Sequence, residues 1–182
     1  KKHPSDQIQC INLWNITLPE LDETRVSIIY KTLFDQDLSD TEQESWAQVR
    51  GLAQSFADAD KYLFSLPMWN FGIPYKLKHF IDVVTLKGVT FDYSLEGGVK
   101  GRMTGKPVIL ICSSGMTYAA ANAEPYTEQW DFQVPYLRAW LTFLGFSEIK
   151  VVLIRPTVGE PAVVSAAEQE ALIQAETLAR SF

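Results

Sequence analysis

Histidine and cysteine are scarce in this chain, two of each among 182 residues, and the shortage removes several chemistries at once. His3 and His79 have no Cys, Asp or Glu at the spacings that metal sites use, so no metal is expected. No Ser/His/Asp or Cys/His set is present for nucleophilic catalysis. Cys10 and Cys112 each sit inside an apolar, strand-like run and are expected as buried, reduced thiols, which fits a cytoplasmic location. Basic residues do not cluster and the net charge is −6, which argues against a nucleic-acid partner. No apolar run approaches the roughly 18 residues of a membrane-spanning helix, and nothing resembles a signal peptide. An initiating Met is missing too: the chain opens on Lys1 and passes through a short polar stretch into a strand-like run. An N-terminal piece is therefore expected to lie outside it.

What is present describes one ordinary globular domain, 47% apolar and 21% charged, with enough chain to bury a core. The organising stretch is Lys61–Val84. Tyr62–Leu66 reads as a strand with both faces covered. Pro67 ends it for want of an N–H, and Pro74 suits the first turn of a helix. Leu77, Phe80, Ile81 and Val84 then recur at helical spacing, so one face of that helix is buried. His79 lies beside this stripe and reads as a flanking residue. Between strand and helix, Met68-Trp69-Asn70-Phe71-Gly72 places two aromatics and an amide on a tight loop. Loops at the carboxyl ends of strands are where open α/β sheets bind ligands, and an aromatic plus an amide suits a flat ligand with hydrogen-bonding edges. The alternative is that Met68, Trp69 and Phe71 fill core space beneath the loop.

Ile8–Trp14 is the first strand candidate and Glu23–Phe34 a helix. Ser39-Asp40-Thr41-Glu42 is a capping box that opens a helix burying Trp46, Val49, Ala53 and Phe56. Gly88–Tyr93 reads as a short extended piece, and Gly97, Gly98, Gly101 and Gly105 mark a flexible surface loop. Those glycines neither follow a strand nor open a helix, so they are no phosphate loop. Pro107–Cys112 is the clearest strand, followed by Ser113-Ser114-Gly115-Met116. Small residues there let a ligand approach the backbone, and they are also ordinary turn chemistry. After an Ala-rich loop to about Pro125, Tyr126–Leu144 reads as a helix interrupted at Pro135 and closed by Gly145. Ile149–Ile154 is the last strand. Ser165-Ala166-Ala167-Glu168 reads as a second capping box, opening a helix with Ala171, Leu172, Ala175 and Leu178 inward. The order β-α-α-β-α-β-α-β-α predicts a mainly parallel sheet with helices on both faces.

Several stretches resemble the flavodoxin-like FMN-dependent NAD(P)H oxidoreductases, the NADH-azoreductase and quinone-reductase family. They are Leu38–Ala57, Pro67–Ile73, Leu77–Asp82, Gly88–Phe91, and Pro135-Tyr136-Leu137 with Phe143–Phe146. The Pro-Met-Trp-Asn-Phe loop is the most specific of them. The resemblance implies a flavodoxin-like three-layer α/β domain over residues 1–182, a parallel sheet with helices on both faces. It implies FMN as cofactor and NADH or NADPH as donor, with hydride passing through the flavin to a quinone or azo compound. No side chain is then a catalyst in its own right, because the flavin carries the chemistry.

The resemblance also places Pro67, Met68, Trp69, Asn70 and Phe71 against the flavin ring, Asn70 bonding its polar edge. It places Ser113, Ser114, Gly115 and Met116 at the pyrimidine end, Phe91 and Tyr93 on the substrate side, and implies a homodimer. Two departures stand out. The family's first strand and its phosphate loop have no counterpart here; in a 2-1-3-4-5 sheet that strand is central, so the chain is expected to be N-terminally incomplete. The family's Ser-Arg-Gly-Gly is here Ser113-Ser114-Gly115-Met116. Two other classes stay open, a flavodoxin-type electron carrier and a cofactor-free binding or regulatory protein that kept the fold.

Overall fold

A computed structural model describes residues 5–118 and 130–182. Its centre is a three-stranded parallel sheet of β1 (Tyr62–Pro67), β4 (Val108–Ser113) and β5 (Ile149–Ile154), in the order β1-β4-β5. Alternate side chains of β4 divide between the two faces, as strand geometry requires. Val108, Leu110 and Cys112 join the larger core, with Phe56 of α2 (Asp40–Asp58), Phe80 and Ile81 of α3 (Tyr75–Val84), and Leu137 and Leu141 of α4 (Gln133–Leu144). Ile109 turns to the other face, where it clusters with Val152 of β5 beneath Ala171 of α5 (Pro161–Leu178). Helices therefore lie on both faces. A third cluster, around Ile28, Trp46, Val49 and Val83, packs α1 (Glu23–Leu33) onto α2 and α3.

The Ser39 capping box is present in both directions, Ser39 Oγ accepting from the Glu42 N–H and Glu42 accepting from the Ser39 N–H. Pro74 serves as the N-cap of α3. Gly145 closes α4 in the left-handed region, with φ of 99°. Its neighbour in space, Gly101, has no room for a side chain, since a Cβ would fall 2.2 Å from the Leu144 and Gly145 backbone.

Several expectations are corrected. Ile8–Trp14 is not a strand: it has no backbone partner in the sheet, and its bonds are local, Asn12 to Trp14 and Asn15. Side chains near its two ends link it to the flanks of β1, Lys61 to Asp6 at 3.0 Å and Trp14 to Trp69. Cys10 is consequently exposed, not buried. β1 is covered less fully than its apolar run suggests, Leu63 being 58% exposed. Gly97–Gly105 is not simply a flexible loop, because Gly98–Gly101 (β3) pairs antiparallel with Phe91–Ser94 (β2). The last helix begins at Pro161, where Pro's fixed φ favours the first turn, so Ser165 lies inside it and caps nothing. Leu172 of that helix is exposed while Ala171 is buried. Pro135 interrupts no helix, since α4 begins at Gln133 and Pro135 falls in its first turn. The expected span 126–129 lies outside the described residues.

Two outcomes follow from this packing. Phe80 is 5% exposed and meets Phe56 edge-on at 5.8 Å, so Phe80→Ala should cost about 3–5 kcal/mol in urea unfolding. Glu42 is held below its ordinary pKa near 4.5 first by the Lys31 ammonium and then by the Ser39 N–H. Its contribution is therefore complete above about pH 4.5 and is lost as pH falls through the lower folded value. Glu42→Gln should flatten that part of the acid-unfolding curve.

Candidate functional site

The parallel register sets Pro67 opposite Ser113, so the turns after β1 and β4 leave the sheet side by side. The Met68 N–H donates to the Ser113 carbonyl at 2.7 Å and ties them together. Beyond Met68, Trp69 and Gly72 exchange two backbone hydrogen bonds, each 3.0 Å. Asn70 and Phe71 are thus the central pair of a two-residue turn, with φ of 45° and 71°. Positive φ at both centres is the type I′ geometry usually filled by Asn-Gly. Asn accepts it readily; a Phe there is strained, by about 1–3 kcal/mol.

A third segment offsets that strain. The Phe132 N–H donates to the Phe71 carbonyl at 2.9 Å, and the Trp130 ring packs 5.3 Å from that of Phe71. Both loop aromatics face outward, Trp69 at 45% and Phe71 at 40% exposure. The loop therefore presents them and does not bury them as core filler. Trp69 rests against Trp14, centroid to centroid 5.7 Å, and Trp14 meets Tyr75 edge-on.

In the second turn Ser114 is buried, its hydroxyl donating to the Met116 carbonyl at 2.8 Å. Its side chain serves the turn itself. The Ser114 N–H donates to Ile154, while Thr157 and Val158 donate to the Ser114 and Gly115 carbonyls, so this turn is pinned to the end of β5. Met116 is about half exposed.

A cavity of about 640 Å³ opens beside the first turn, lined by Trp69, Asn70, Ile73, Tyr75, Lys78 and Tyr136 among others. That volume lies within the ordinary range for small-ligand sites. Trp69 and Asn70 line it; the second turn does not, and joins the site through the Met68–Ser113 bond. Phe91 and Tyr93 are not brought here. Phe91 packs on Phe143 near the far end of α4, whereas Gln133 at the start of α4 reaches the Leu66 carbonyl; ten residues of helix separate them by roughly 15 Å. The sequence reading missed Tyr75, Lys78 and Tyr136 as cavity residues. Their signal was their place off the apolar stripes of α3 and α4.

Among the described residues the lining holds no carboxylate or histidine. Burial raises the Tyr136 pKa, with Lys78 opposing and Asp82 adding to the shift. Burial likewise pushes the Cys112 thiol up to about 11. Both groups therefore keep their protons at neutral pH. Among the described residues no set of three or more His, Cys, Asp or Glu could hold a metal ion, and no helix is long and apolar enough to cross a membrane. The arrangement can stack a flat ring, offer it an amide, and hold both by a pre-set turn.

The fold is shared with known proteins. A family model described as the flavodoxin-like fold matches residues 1–178. An FMN-dependent NADH:quinone oxidoreductase of Desulfotalea psychrophila is 40% identical over 179 residues, covering 96% of this chain and 82% of that protein. One of the same name from Staphylococcus aureus is 32% identical, covering 100% and 85%. Among solved structures, an azoreductase from Bacillus anthracis superposes with a TM-score of 0.86 at 26% identity, covering 100% of this chain and 85% of that one. An FMN-dependent NADH-azoreductase of B. anthracis in complex with FMN gives a TM-score of 0.75 at 30% identity, covering 92% and 79%.

The two thiols provide a check on the site's surroundings. Cys10 is exposed and Cys112 lies under the second turn with its thiol protonated. A chromogenic disulfide reagent at pH 8 should titrate one thiol at once in the folded protein, and the second only on unfolding.

Proposed function

The chain belongs to the family with the flavodoxin-like fold, and from that premise we propose that it is an FMN-dependent NADH:quinone or azo oxidoreductase. The observation that carries this reading is the strained, outward-facing Asn70-Phe71 turn, bonded to the end of β4 and opening on an aromatic cavity. The names of relatives at 32–40% identity support the same activity. Bound FMN would supply the hydride transfer between nicotinamide and acceptor.

The residues present fit the ring end of that cofactor. Trp69, Phe71 and Met68 would provide apolar contact, Asn70 an amide for the polar edge, and the backbone around Ser113 and Gly115 a close approach at the pyrimidine end. Ser114 would contribute through its backbone. Backbone strain held at a ligand loop is a form of pre-organisation, since the loop needs no rearrangement when the ring arrives. NADH is taken as the donor because the relatives carry it in their names; a quinone or azo compound is the acceptor. The unpaired cysteines fit a cytoplasmic enzyme. A homodimer completes the reading, because Phe91 and Tyr93 stay remote from the rim within one chain and could line a substrate site only across a second copy.

The test is NADH consumption with menadione by FMN-loaded protein; retention of FMN without turnover would instead indicate an electron carrier, and failure to retain FMN would overturn the reading. Asn70→Gly probes the site without disturbing the turn, because Gly adopts positive φ freely whereas Ala would add about 1–2 kcal/mol of strain. The melting temperature should hold, while the Kd for FMN should rise roughly five- to tenfold, the equivalent of one lost hydrogen bond of about 1–1.4 kcal/mol.

A further inference from the structure

Arg155 follows β5 directly, and its side chain is only 6% exposed. One guanidinium nitrogen donates to Asp131 at 2.6 Å and the other to Oε1 of the fully buried Gln133 at 2.8 Å. The ring of Tyr118 lies 5.4 Å from the guanidinium carbon, and Nε is buried without a hydrogen-bond partner among the described residues. Such an arrangement is a poor device for stability. Desolvating two charges offsets most of their attraction, and a buried pair can often be replaced by apolar side chains without loss. An orphaned N–H adds a further penalty.

The geometry gives the pair another role. Asp131 also accepts from the Gln133 and Val134 N–H groups, capping α4. Gln133 donates in turn to the Leu66 carbonyl at the end of β1. Between Asp131 and Gln133 stands Phe132, whose N–H holds the Phe71 carbonyl. The fork of Arg155 thus grips the residues on both sides of the one that restrains the strained turn. Its backbone neighbour Ile154 accepts from Ser114, so the second turn is tied to the same point.

We propose that Arg155 is a positioning residue for the flavin site, holding the Trp130–Gln133 segment so that Asn70 and Phe71 remain in the left-handed turn before cofactor arrives. This rests on the flavin reading above and adds to it a residue that does not itself line the cavity. If only a fraction of apoprotein holds the turn, the apparent Kd rises by the inverse of that fraction. The loss then appears in association, because the bound state is unchanged.

The experiment compares apoprotein of wild type, Arg155→Met, Arg155→Lys and Asp131→Asn, titrated with FMN by fluorescence and followed by stopped flow. Arg155→Met should fold with a lowered melting temperature, because Asp131 and the Gln133 Oε1 lose their partner, and should raise the Kd about tenfold through slower association at an unchanged dissociation rate. Arg155→Lys should do nearly the same, since it keeps the charge and loses the fork. Should Arg155→Met fail to fold, Asp131→Asn decides the matter: it keeps the helix cap and removes the ion pair, and the same kinetic pattern is expected. In the Phe71→Gly background, where no strain needs restraint, Arg155→Met should cost less than threefold.

Unchanged association in the folded variants, a loss confined to dissociation, full rescue by Arg155→Lys, or an undiminished effect in the Phe71→Gly background would each overturn the proposal. Absence of FMN binding by wild type would instead overturn the flavin reading on which it rests.

Discussion

Six residues of β1 run in parallel register with six of β4, and the position of Pro67 against Ser113 governs what the molecule can offer a ligand. Both strands end together, so their following turns emerge at one rim within a single backbone hydrogen bond of each other. A one-residue slip would turn the alternating side chains of β1 to the wrong face, exposing Tyr62 and Leu66 and parting the turns. The apolar packing of α3 and α4 against this face therefore maintains the site as well as the fold. Core and rim share one constraint.

At the rim the protein sustains a conformation that its residues would not choose in isolation. Phe71 at φ 71° persists because, beyond the Trp69–Gly72 exchange within the loop, contacts from outside hold it: the Phe132 N–H and the Trp130 ring. Those contacts come from a segment distant in sequence, itself anchored by a buried ionic fork. The strain is small against the whole core, yet it is local to the residues that meet a ring. Flavin chemistry needs little acid–base help, which accords with a cavity whose described lining carries no carboxylate or histidine and with a Cys112 thiol whose pKa burial raises to about 11.

Much of this was legible from spacing. The Tyr62, Val108 and Ile149 strands, the α3 stripe, the Ser39 capping box and the Gly145 stop each rest on local rules that the fold obeys. The errors have one common source. Ile8–Trp14 has a strand's composition and no partner; Ser165 has a cap's pattern, but Pro161 starts the helix earlier; the glycines of 97–105 signal flexibility, yet two of them bound a strand that pairs with β2. A local pattern shows what a segment can do, and a neighbour determines whether it does so.

The chain's order of elements and its apolar periodicities established by themselves a mainly parallel α/β domain with an aromatic loop at the carboxyl end of a strand, because those follow from rules spanning a few residues. The left-handed Asn70-Phe71 turn, the remoteness of Phe91 and Tyr93 from it, and the grip of Arg155 on Asp131 and Gln133 belong to the tertiary structure alone. Each depends on residues tens of positions apart meeting at a particular distance, and an arginine after a strand carries no local mark that it will be buried.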